Sequence, residues 1–110
     1  MMIINLVKYL KDNLGIEFYP EIAPKSAKSP CGVYNIISEK ERIGVNLGSF
    51  QTDFFIQIDI YTKTYKEANL IKEKLKDVLF SFERPVISLS FNIDFEDGEY
   101  RLICEFESFE

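Results

Sequence analysis
The chain has 110 residues, 46% hydrophobic and 28% charged, values of an ordinary globular domain that exclude a disordered or fibrous chain and predict one domain over residues 1–110. Its net charge of −5 and sequence pI near 4.8 repel phosphate backbones and anionic lipid, so neither nucleic acid nor a membrane surface is an expected partner. It has no histidine, which removes the usual general base near neutral pH and every Ser-His or Cys-His nucleophile, so no catalytic residue and no enzyme activity are expected.

Ile3, Leu6, Val7, Leu10 and Leu14 recur at helical spacing, and Gly15 stands where a left-handed cap would end the run, predicting an amphipathic helix over 2–14. Pro20, Pro24 and Pro30 make residues 16–30 a connector, with room for a short strand at Ile16 to Tyr19. β-Branched and aromatic residues then predict a strand from Cys31 to Ser38. Gly44, Gly48 and clustered charge predict a long loop or splayed hairpin tip from Glu39 to Ser49. Phe50 to Thr62 alternates Phe54, Ile56, Ile58 and Ile60 with Phe55, Gln57, Asp59 and Tyr61, a strand with two different faces.

Thr64 and Glu67 have capping-box spacing, and Ala68, Ile71, Leu75, Val78, Leu79 and Phe82 form one apolar stripe that Pro85 ends, predicting a second helix. Ile87, Leu89, Phe91, Ile93 and Phe95 alternate with polar residues as a strand with one dry face. Asp97-Gly98 predicts a hairpin turn, and the return strand sets Tyr100, Leu102, Cys104 and Phe106 against Arg101, Ile103, Glu105 and Glu107. The fold class is therefore α+β, a mixed, mainly antiparallel sheet of about four strands with two helices on it, in the order α-β-β-α-β-β.

No stretch reaches the ~18 apolar residues of a membrane-spanning helix, and no cleavage site follows the apolar start, so a cytoplasmic protein is expected. In that setting Cys31 and Cys104 are expected as buried thiols without a disulfide. The cysteines lack metal-ligand spacing and the glycines form no phosphate loop, so no metal or cofactor is expected. Asp94, Glu96, Asp97 and Glu99 have the character of a solvated hairpin tip.

Residues 94–110 hold seven acids against one arginine, Arg101. On the return strand, Arg101, Glu105 and Glu107 share a face, and Glu105 and Glu107 are expected either to be simply solvated or to pair with the lysines of a neighbouring chain. Ile43, Val45, Leu47 and Phe50 are apolar residues between charged flanks, either a partner surface on a loop or a β extension folding back on the core.

The proline-led strand Ser29-Pro30-Cys31-Gly32-Val33-Tyr34-Asn35-Ile36-Ile37, a loop, the strand Phe55-Ile56-Gln57-Ile58-Asp59-Ile60-Tyr61-Thr62 and a helix opening Thr64-Tyr65-Lys66-Glu67-Ala68 follow one another directly. This succession resembles the small tail terminator, or tail completion, proteins of tailed bacteriophages and prophages. The likeness is one of element order and apolar residue types over most of the chain. It implies a structural protein that forms a ring, a hexamer, at the head-proximal end of the tail tube, with further copies of itself, a tail-tube protein and a head-tail connector protein as partners. It implies a location in the bacterial host cytoplasm during assembly and in the virion tail afterwards. A second reading of the same residues is a small non-catalytic ligand-binding or regulatory domain using a groove between the second helix and the sheet, with Tyr34, Asp59 and Tyr61 as its polar groups.

Overall fold
The computed structural model describes residues 2–43 and 50–109, with side chains described for 3–41 and 51–109. Its elements are α1 (Met2–Leu14), β1 (Glu17–Pro20), β2 (Cys31–Ile43), β3 (Phe50–Thr62), α2 (Tyr65–Phe80), β4 (Val86–Glu96) and β5 (Glu99–Phe109). The fold is α+β. The sheet has five strands in the order β1-β2-β3-β5-β4, one more than expected, because residues 17–20 pair parallel to β2 as an edge. The remaining pairs are antiparallel.

Local sequence sets the element ends. Gly15, at φ 68°, donates its N–H to the Lys11 carbonyl at 2.9 Å and closes α1. Thr64 is extended and its Oγ accepts the Glu67 N–H at 3.1 Å, the first half of the capping box that starts α2. Asp97 and Gly98, at φ 53° and 79°, supply the two left-handed residues of a type I′ turn between β4 and β5. Phe82 lies beyond the end of α2 but still packs on the core, its ring 5.4 Å from that of Tyr9.

Both helices lie on one face of the sheet. Ile56, Ile58 and Ile60 of β3 and Leu102, Cys104 and Phe106 of β5 are fully buried against Leu6 and Leu10 of α1 and Ala68, Leu75 and Leu79 of α2. The registers Ile56 to Phe106, Ile58 to Cys104 and Ile60 to Leu102 show that β3 and β5 present these residues side by side. At the edge of this layer the Phe18 ring occupies the space that a Cβ at position 32 would need, so Gly32 is required there.

Three expectations are corrected. The strand begun at Cys31 does not stop at Ser38: pairing with β3 continues to Ile43 opposite Phe50, past a bulge at Ile37. Glu39 to Ile43 is therefore a β extension, the second of the two readings of this stretch, and not loop; residues 44–49 lie outside the described residues. In β4 the register shifts between Ile87 and Ser90, with Ser88 at φ 55°. The inserted residue turns Ile87 onto the far face beside Glu107 and brings Val86, opposite Ser108, onto the helix side in its place. Phe95 keeps the helix side but stays 64% exposed, its ring tilted against that of Tyr100 with centroids 4.8 Å apart at the open end of the sheet. No helix among the described residues is long and apolar enough to cross a membrane.

Replacing Gly32 by Ala is expected to cost about 1–3 kcal/mol in urea unfolding because the new methyl displaces the Phe18 ring. The Phe18→Ala, Gly32→Ala pair is expected to lose less than the sum of the two single changes.

Candidate assembly surface
The face turned away from the helices carries the alternate residues of every long strand. Val33, Asp59 and Ile103 stand side by side across β2, β3 and β5, with Asn35, Gln57 and Glu105 in the next such row. Cys31 and Val33 are buried on this face without a helix above them. The connector 21–30 covers that corner: Ile22, Pro24 and Ala27 line a cavity of about 340 Å³ with Cys31, Val33, Tyr61 and Glu99. It is tied down by the Glu21 N–H on the Tyr34 carbonyl at 3.1 Å and the Ser29 hydroxyl on the Tyr61 carbonyl at 3.1 Å.

The centre of the face is polar and nearly dry. Asp59 is 3% exposed, accepts from Arg101 Nη2 at 2.7 Å through Oδ2, and accepts from Gln57 Nε2 at 3.1 Å on each carboxylate oxygen. The Asp59 hydrogen bond is the main cause that raises the Arg101 pKa above its ordinary value, against an opposing effect of burial. Arg101 Nε is buried with no acceptor among the described residues, a donor whose lost hydration is not recovered there. Tyr61, opposite Arg101 in register, is also raised, first by burial, with the Arg101 charge acting against it.

Away from this centre the face becomes wetter. Glu105 lies between Gln57 and Ser90, and Glu107 between Phe55 and Ile87. Next to them a second hollow of about 340 Å³ is lined by Ser38, Lys40, Gln51, Asp53, Phe55, Ile87, Glu107 and Phe109. Among the described residues no group of three or more His, Cys, Asp or Glu side chains converges to hold a metal ion.

The structure thus brings Arg101, Glu105 and Glu107 onto one uncovered face, as their alternation predicts, but Arg101 is committed to Asp59 of its own chain. Val45 and Leu47 lie outside the described residues. The backbones of Ile43 and Phe50 pair at the far end of β2 and β3, while their side chains lie outside the description. Tyr34 packs into the helix-side core, whereas Asp59 and Tyr61 sit on the opposite face. The three polar groups expected in a groove under α2 therefore do not meet. Sequence reading missed the Asp59–Arg101 pair, although Asp59 is the lone charge between Phe54 and Thr62 and Arg101 the lone cation of β5.

Both cysteines are free and buried. Burial pushes the Cys104 thiol up to about 12, with Glu105 and Asp59 adding in the same direction. Burial and then Glu99 raise Cys31.

Removing Arg101 alone (Arg101→Met) leaves the Asp59 carboxylate buried and is expected to cost about 3 kcal/mol in urea unfolding. Changing both members (Asp59→Leu with Arg101→Met) is expected to cost much less. For Cys104 the folded pKa of about 12 lies above the ordinary 9.0. The native state therefore holds its proton in a range where the unfolded chain releases it, and stability is lost as pH rises. Below pH 9 the unfolding free energy is expected to be insensitive to this group, and between pH 9 and 12 to fall by about 1.4 kcal/mol per unit, a slope smaller in Cys104→Ala.

The chain matches no protein-family model and no curated protein, so its own geometry carries the functional reading.

Proposed function
We propose that this chain is a structural subunit of a phage or prophage tail, of the tail-terminator kind. Copies of it join in a hexameric ring that caps the tail tube and joins it to the head connector. The ring is put together in the bacterial host cytoplasm and ends in the virion tail. The observation that carries this reading is the uncovered sheet face, which places acids beside half-buried apolar residues.

Two further features favour it. The 13 residues of β3 span about 43 Å, while the 16 residues of α2 span about 24 Å. The paired arm formed by the ends of β2 and β3 thus outruns the helical layer, and the molecule measures 53 × 26 × 23 Å. An extended subunit with unlike faces suits heterologous contacts, which close into rings when the rotation between neighbours allows it. Charge separation between those faces sets orientation more than affinity.

Light scattering across a concentration series, with and without a tail-tube protein, is expected to give a discrete species of about six subunits, visible as rings by electron microscopy. A chain that stays a monomer throughout and joins no tube protein overturns the reading.

A further inference from the structure
A ring built from one kind of subunit needs two different faces to meet, and charge distinguishes the faces here. The helices carry six lysines (Lys8, Lys11, Lys66, Lys72, Lys74 and Lys76) against four acids. Strands β4 and β5 carry five acids against Arg101 alone, and Arg101 is already neutralised by Asp59.

The basic side has a defined ridge. Lys66, Leu70 and Lys74 follow one another at i, i+4 and i+8 on the outside of α2 and are all exposed, Leu70 by 63%. Neither lysine forms an ion pair among the described residues, where Lys11 and Lys76 bind Glu17 and Glu73 instead. On the acidic side, Glu105 and Glu107 are likewise without ion pairs among the described residues. Glu107 stands between Phe55 and Ile87, which the bulge at Ser88 turned outward and left 47% exposed, and Glu105 lies in the next row along β5.

We infer, resting on the ring reading above, that the second copy is the partner of this face. The Lys66–Leu70–Lys74 ridge of one subunit seats on the outer sheet face of the next, with the lysines on Glu105 and Glu107 and Leu70 to one side of them against the exposed Ile87. The two lysines are about 12 Å apart along α2 and the two glutamates about 7 Å apart along β5, a difference that flexible lysine stems span. Sheet-to-sheet contact would set Glu105 and Glu107 against their own copies, and helix-to-helix contact would oppose the lysines. Contact of the ridge with the sheet face joins unlike charges, and such contact is heterologous, as a ring requires.

The test uses two charge-reversed forms of the full chain, Lys66→Glu with Lys74→Glu, and Glu105→Lys with Glu107→Lys, followed by light scattering at low and high salt. Each alone is expected to need at least about tenfold more protein to assemble than the native chain. Mixed in equal amounts they are expected to assemble again with strict alternation, since one contact is then reversed Glu on Lys and the next is native Lys on Glu. The form carrying all four changes is expected to assemble alone, which also shows that the substitutions leave the fold intact. If the native chain assembles and the reversed forms assemble equally well, this docking is overturned and the ring is not. If Glu105→Lys with Glu107→Lys loses only a tail-tube protein and keeps self-assembly, the sheet face belongs to the tube and the docking is again overturned. A native chain that assembles under no condition overturns the ring and the docking together.

Discussion
Ile56, Ile58 and Ile60 lose all contact with water beneath the helices, and Asp59, between two of them and pointing the other way, is almost as deeply buried with no helix above it. This double sealing of β3 is the constraint on which the rest of the structure depends. On the helix side it is a matter of area: each isoleucine contributes about 1.5–3 kcal/mol by leaving water. On the far side the sheet seals itself with Val33 and Ile103 to either side of a carboxylate that Arg101 and Gln57 satisfy. A carboxylate in that position is stable only while its partner is present, because desolvation acts on it whether or not it is paired.

The elements legible in the sequence were those governed by local chemistry. The period of two in β3, the Thr64 cap, Gly15 and the Asp97-Gly98 turn each follow from residues within a few positions of one another. The misread elements were decided by pairing. Glu39 to Arg42 is charged enough to resemble a loop, yet β3 offers a complete partner strand, so its backbone groups are satisfied as a ladder. With no helix long enough to cover the arm, nothing requires an apolar face there. Ile87 continues an unbroken apolar alternation, and only the inserted residue near Ser88 reverses its direction. The surface was legible by half: alternation groups Arg101, Glu105 and Glu107, but the bond that removes Arg101 from that group joins residues 42 positions apart and can be seen only once β3 and β5 are in register.

The connector 21–30 resolves a different difficulty. A sheet covered by helices on one side leaves its other apolar side chains in water, and Cys31 and Val33 are of that kind. Rather than replace them with polar residues, the chain folds its own proline-rich segment over them. The segment gains little area and keeps Ile22 80% exposed, so its function is to close one corner of the face. What remains open is the region from Asp59 toward Glu107, where no segment of the described chain reaches.

That remaining region explains why the Asp59–Arg101 pair matters beyond stability. If Arg101 were free, it would lie among Asp94, Glu96 and Glu105 and offset part of their charge. Held against Asp59 at 2.7 Å, its charge is spent on a group that is itself buried, and the open part of the face stays acidic. The pair costs desolvation and leaves Nε without an acceptor among the described residues, yet it gives the molecule one negative face opposite a lysine-bearing helical layer. Exposed charges of this kind act over about 10 Å at 0.1 M salt, so they add little binding energy but disfavour approach of like faces. In the assembly proposed above, faces of unlike charge would favour head-to-tail contact before any apolar contact forms, and the Asp59–Arg101 pair contributes to that contrast by taking the Arg101 charge out of the sheet face.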